Sequence, residues 1–260
     1  MSDDVLYEVS DHIATITLNR PDRQNTISGP MLDAVTQHLL DADADKDVRA
    51  IVLTGTGKFF CAGLDLRGTS DIGSGSGGPA TNLDLRNTPP TVLHNLDTPT
   101  ICALNGSAAG YGMDMALGCD IRIMSEDAKL AAAFTKRGIV PESGGTWLLP
   151  RLIGWSKASE IIFTGKTLTA AECEEMGLIS RAVNNNELPV EAAAMARAIA
   201  ANAPLAVQSS KRMMRMGQNE TFNDHVHHVF LQLLPLFQTE DFKEGMKSFM
   251  EKRDPEFKGR

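Results

Sequence analysis

Two carboxylates beside glycine-rich turns are the residues of this chain best suited to moving protons. Asp114 closes the run Asn105-Gly106-Ser107-Ala108-Ala109-Gly110-Tyr111-Gly112-Met113-Asp114, and Glu142 opens Glu142-Ser143-Gly144-Gly145 after Pro141. A third stretch, Phe59-Phe60-Cys61-Ala62-Gly63-Leu64-Asp65-Leu66, lies upstream. Tight turns bring bare backbone N–H groups close to a ligand, where they stabilise a developing oxyanion. A carboxylate beside them can take and return a proton. The stretch ending in Asp114 lacks G-x-G-x-x-G, which argues against a dinucleotide site, and the G-x-S-x-G elbow of serine hydrolases is absent.

These residues need a scaffold, and the pattern predicts one. Residues 12–18 and 49–54 read as strands, as do 100–104 and 120–124, because they are short, apolar and β-branched. Apolar residues at Met31, Leu32, Val35, Leu39 and Leu40 predict a helix over 28–43. Another helix is expected over 83–96, one near Gly110–Gly112, and one over 146–153. Thr169-Ala170-Ala171-Glu172 is a capping box, with Gly177 suited to end its short helix. From residue 191 onward the pattern is helical, over 191–201, 204–216, 222–237 and 241–252. The Gly/Ser-rich run 68–80 has too little apolar surface to fold alone, and reads as a loop, either a lid or slack. The order is an α/β core over residues 1–200 followed by a helical C-terminal region over 201–260, suited to assembly.

Composition narrows the classes. The chain has 260 residues, 42% apolar and 22% charged, with a net charge of −8. That balance fits a globular protein and argues against nucleic acid as a partner. No run of about 18 apolar residues is present, so no membrane span is expected. The start, Met1-Ser2-Asp3-Asp4, is unlike a targeting peptide. Cys61, Cys102, Cys119 and Cys173 are widely spaced and fit reduced thiols in a cytoplasmic protein, with no metal expected. His225, His227 and His228 cluster in sequence but read as a polar helix face, without an acidic or thiol partner at a metal-binding interval.

Taken in order along the chain, several segments carry a resemblance. They are Ile16-Thr17-Leu18-Asn19-Arg20-Pro21, Cys61-Ala62-Gly63-Leu64-Asp65-Leu66, Asn105 through Gly112, Cys119-Asp120, Pro141 through Thr146, and Leu168 through Glu172. Together they resemble the crotonase family, the enoyl-CoA hydratase/isomerase superfamily, over nearly the whole length. The resemblance implies a spiral of ββα turns and a C-terminal helical trimerisation region, giving a homo-trimer or hexamer. It also implies an acyl-CoA thioester substrate, so coenzyme A enters with the substrate and no separate cofactor is expected. The two oxyanion N–H donors would be those of Leu64 and Tyr111, and because the donors are backbone, their side chains could vary. Ala62 and Leu66 would lie along the CoA moiety, with Arg23 and Arg67 near its phosphates, and Lys252 or Arg253, from the last helix of this or a neighbouring subunit, would close the site. Asp65 and Asp120 match recurrent structural aspartates. Thr26 stands where many relatives have alanine.

The carboxylates then separate reactions. Family hydratases use two glutamates around a water; here the first position holds Asp114 and the second holds Phe134. Glu142, eight residues further on, stands where double-bond isomerases of the family keep a carboxylate. The run from Ile139 to Arg151 also resembles ring-opening-pathway isomerases. A single carboxylate can take a proton alpha to the thioester and return it two carbons away. An apolar Phe134 beside it would raise its pKa and exclude water. The expected reaction is therefore double-bond migration by Glu142, with Asp114 assisting. The alternatives are hydration by Asp114 and Glu142 together, thioester hydrolysis or ring cleavage, and, in another class, a non-catalytic CoA- or RNA-binding relative.

Overall fold

The computed structural model of the chain describes residues 3–65 and 88–260. Leu66, Arg67, the 68–80 run and the start of the predicted 83–96 helix lie outside the described residues. The chain opens with strands β1 (Val5–Ser10) and β2 (Ile13–Leu18), paired antiparallel from Val5↔Leu18 to Ser10↔Ile13. Asp11 and His12 join them with φ of 51° and 65°. Two left-handed residues are what a two-residue hairpin turn requires, so the strand starts at Ile13 rather than at residue 12. Helix α1 (Gly29–Ala44) buries Met31, Val35, Leu39 and Ala42, as its periodicity predicts.

A repeated unit follows. Strand β3 (Ala50–Gly55) leads into the short β4 (Phe59–Cys61), and helix α2 (Pro89–Asn95) comes next among the described residues. Then β5 (Thr100–Leu104) and β6 (Ser107–Ala109) lead into α3 (Tyr111–Gly118), and β7 (Ile121–Ser125) is followed by β8 (Lys129–Ala131). The first strand of each unit joins one sheet and the second joins another. With β9 (Thr167–Thr169) and β10 (Arg181–Val183) included, the sheets run β1-β2-β3-β5-β7-β10 and β4-β6-β8-β9. This is the spiral of ββα turns. Apart from the β1–β2 and β8–β9 pairs, every strand pairing among the described residues is parallel.

Strand β2 alternates, burying Ala14, Ile16 and Leu18, whereas β5 is buried throughout. Central parallel strands covered on both faces need continuous apolar runs. One face packs on α1, α2 and α3 around Phe60, Leu53 and Leu104. The other carries Val52, Ile101, Ala103 and Ile123 against Leu188, Ala192 and Ala196 of the later helix 188–200.

Helix α4 (Gly145–Ile153) and α5 (Trp155–Thr164) precede β9, and α6 (Ala170–Glu175) follows it. Thr169 and Glu172 form the predicted capping box, and Gly177, at φ 75°, follows the end of α6. The C-terminal helices are α7 (Leu188–Ala200), α8 (Pro204–Gly217), α9 (Phe222–Leu236) and α10 (Glu240–Glu251). Helix α8 is tied to the core. Lys211 Nζ lies 2.7 Å from the Asp120 carboxylate and donates to the Thr98 carbonyl, while Arg212 and Arg215 both meet Asp97. By contrast, α9 has no buried residue.

Candidate active site

The site forms where the second sheet meets the N-terminus of α3. Ile27 makes a parallel bridge to the segment after β4. Its N–H donates to the Gly63 carbonyl at 2.8 Å, and the Asp65 N–H donates to the Ile27 carbonyl at 2.8 Å. Neighbouring residues of an extended segment point opposite ways, so the bridge turns the N–H of Leu64 away from Ile27. Tyr111 is the first residue of α3, and its N–H has no carbonyl one turn earlier within the helix. The two segments adjoin: a Cβ on Gly63 would stand 4.0 Å from Tyr111 N. At Gly112 a Cβ would collide with the Cys61 carbonyl, so only glycine lets α3 approach β4 this closely. The positive end of the α3 dipole adds to the two donors.

A cavity of about 380 Å³ opens beside them. Ala62, Gly63, Leu64, Gly110 and Tyr111 line it, together with Phe134, Ile139 and Glu142. Phe134 is buried and its ring lies near Gly110. Glu142 sits in the turn before α4, with Oε2 buried and lacking a hydrogen-bond partner. Asp114 is placed differently. It is fully buried and does not line the cavity. Its Oδ2 accepts the Ser143 N–H at 3.2 Å. Burial pushes the Asp114 carboxyl up to about 7, with Glu142 also raising it and the Ser143 and Gly145 amides pulling it back. Burial therefore raises proton affinity at Asp114, a carboxyl for which the sequence reading expected no such effect.

Other expected residues fall on several walls. Arg23 lines the cavity from an exposed turn, with Nε 3.6 Å from Asp22. The Ala62 N–H donates to Gln24, joining that turn to the donor segment. Lys252 ends α10 at φ 55° and does not line the cavity of this chain. Arg253 is held by Glu244 and Glu251. Leu66 and Arg67 lie outside the described residues. Asp120 accepts from the Thr100 N–H and hydroxyl, and Asp65 meets Arg20 at 3.3 Å. Thr26 lines the cavity and its hydroxyl donates to the Arg23 carbonyl. The Tyr111 side chain is only 5% exposed and belongs to the core, so it is not free to vary.

Sequence reasoning missed Asn25, which is fully buried at φ 51°. Its Nδ2 donates to the Thr56 and Phe59 carbonyls, and its Oδ1 accepts from Arg20 N–H. It braces the Arg23 turn against β4. The signal was present, since asparagine is among the few residues that tolerate left-handed backbone. Glu220 was also overlooked: its carboxylate meets Nδ1 of His225 at 3.1 Å and of His228 at 2.9 Å. Among the described residues no group of three or more such side chains is arranged to hold a metal. No single described helix is long and apolar enough to cross a membrane.

Two sheets wound as a ββα spiral, with this cavity at the head of α3, define a crotonase-like α/β protein. The chain belongs to the enoyl-CoA hydratase/isomerase family, whose profile matches residues 8–260, and it is an acyl-CoA enzyme. It is 34% identical to the 1,2-epoxyphenylacetyl-CoA isomerase of Escherichia coli over 265 residues, covering 100% of both chains. It is 35% identical to enoyl-CoA hydratase EchA19 of Mycobacterium tuberculosis, covering 99% of this chain and 97% of the relative. The crystal structure of an enoyl-CoA hydratase from Bacillus anthracis superposes with a TM-score of 0.90 at 32% identity. That match covers 99% of this chain and 100% of the other.

Proposed function

We propose that the protein shifts a double bond in an enoyl-CoA through a thioester enolate. The N–H groups of Leu64 and Tyr111 hold the enolate oxygen, and Glu142 carries the proton from one carbon to the other. One observation carries this reading. The cavity beside the donor turns presents the carboxylate of Glu142, while Phe134 fills the place of a second acid and Asp114 is walled off. A water poised for addition would lack its second partner, whereas a proton relay needs only one carboxylate. The E. coli relative is by name an isomerase of an epoxyacyl-CoA, which favours isomerisation of a CoA thioester over addition of water. The relatives named as hydratases favour hydration of a 2-enoyl-CoA as the competing reading.

The reading uses no cofactor beyond the coenzyme A of the substrate. Arg23, Ala62, Leu66 and Arg67 would meet that moiety, with Lys252 closing the site from a neighbouring subunit. A cytoplasmic homo-trimer or hexamer completes the proposal, and the apolar surface of α9 and α10 supports it. Those helices expose Phe230, Leu234, Phe249 and Met250 at 54%, 43%, 82% and 72%. Apolar areas of this kind mark interaction surfaces.

The test offers the purified protein a 3-enoyl-CoA and a 2-enoyl-CoA separately. Conjugation is followed by absorbance and water uptake by mass. Formation of the conjugated isomer without a 3-hydroxyacyl product is expected. Rapid hydration with no isomerisation would overturn the proposal.

A further inference from the structure

Asp114 is a carboxylate with no route to substrate. It is fully buried in α3, and Glu142 lines the cavity while Asp114 does not. Its Oδ2 is bonded to the turn that carries Glu142, and its Oδ1 is buried beside that turn without a hydrogen-bond partner. Oδ2 accepts the N–H of Ser143, the residue directly after Glu142, at 3.2 Å. Oδ1 lies against Gly145, where an added Cβ would collide with it. Both contacts fall on the turn that carries Glu142 into α4. Ser143 is itself buried, so this turn is anchored and not a free loop. A glutamate in place of Asp114 would reach about 1.5 Å further, one carbon–carbon bond. The shorter side chain stops at the turn.

We infer that Asp114 is a positioning residue, which latches the 141–145 turn to α3 and so sets where the Glu142 carboxylate stands. The inference rests on Glu142 being the proton carrier. The electrostatics agree with the geometry. The titratable groups around Asp114 are Glu142 from that turn and Tyr111 on its own helix, with the Cys61 thiol of β4 behind Tyr111. Burial raises the Tyr111 phenol and pushes the Cys61 thiol up to about 12, so both keep their protons through the neutral range. Asp114, at about 7, changes charge within that range. Once it ionises, a negative charge stands behind the turn that carries Glu142.

The test compares kcat and KM from pH 5 to 9 for the wild type, Asp114→Asn, Glu142→Gln and the double variant, with thermal melting of each. Asparagine keeps the size of aspartate and an oxygen for the Ser143 N–H, but it cannot ionise. In Asp114→Asn the expected results are a KM within about twofold, a kcat about tenfold lower at pH 8, and loss of the wild-type inflection near pH 7. The double variant should be no slower than Glu142→Gln alone, because Asp114 acts only through Glu142. Three results would overturn the inference. They are a loss in Asp114→Asn as large as in Glu142→Gln, a further tenfold loss in the double variant, or a change in melting with the pH profile intact. Retained turnover in Glu142→Gln would overturn the assignment of the proton carrier as well, which keeps the two failures apart.

Discussion

At the scale of single residues, the site is defined by which side chains the cavity admits. Phe134 stands where a second acid would make an addition site. Phe134→Glu should therefore introduce 3-hydroxyacyl-CoA among the products of a 2-enoyl-CoA and slow double-bond migration. Product ratios by liquid chromatography would show it, and an unchanged ratio would contradict the role given to Phe134. Asp114 supports a separate test, on stability. Its carboxyl rises from the ordinary 3.8 to about 7, so folding favours the protonated form. That contribution is full below about pH 4 and is lost as pH rises through 7. It is worth on the order of 4 kcal/mol. The wild type should lose more melting temperature between pH 4 and 8 than Asp114→Asn does, by several degrees in calorimetry. Residue types and spacing pointed to Asp114 and Glu142, and the resemblance to the family pointed to Phe134. Which carboxylate faces the cavity was not legible, because it depends on a Ser143 N–H that only the folded turn brings to Asp114.

At the scale of elements, the two oxyanion donors depend on how closely α3 approaches β4. Gly112→Ala would push Cβ into the Cys61 carbonyl and move the Tyr111 N–H away from the cavity. Removing one oxyanion donor costs about 3–4 kcal/mol. A fall in kcat of roughly 10²–10³ is expected, with a smaller change in KM. Turnover within a few-fold of wild type would place the donors elsewhere. Most of the longer strands and helices were readable from their apolar periods, but β1, with only Val5 buried along it, was not. β4, β6, β8, β9 and β10 were not, since three residues carry too little pattern to separate strand from loop. All but β10 form the second sheet, so the elements that frame the site were the ones hardest to see. α5 was missed too, although its exposed face carries Trp155 and Phe163.

At the scale of the whole molecule, the spiral buries most of its apolar residues, whereas α9 and α10 leave many of theirs exposed. The 200/201 boundary expected from sequence falls at the end of α7, yet α8 is fastened to the core through Asp97 and Asp120. It is α9 and α10 that present uncovered faces. Replacing Phe230 and Leu234 together by Glu should reduce the particle mass in light scattering to that of one chain, leaving the circular dichroism spectrum intact. An unchanged mass would show that the subunits meet elsewhere. The helical nature of this region was plain in the sequence. Its lack of burial was not, because an apolar stripe looks the same whether its partner is the same chain or another. The bridge between Ile27 and Leu64 also has a signature that can be followed across the entire backbone by hydrogen exchange. The amides of Ile27, Asp65 and Gly110 are bonded and should exchange slowly. Those of Leu64 and Tyr111 should exchange quickly in the empty protein and become protected when an acyl thioester binds. The resting enzyme would then carry two unprotected amides among slow neighbours, an imprint of its ligand before the ligand arrives.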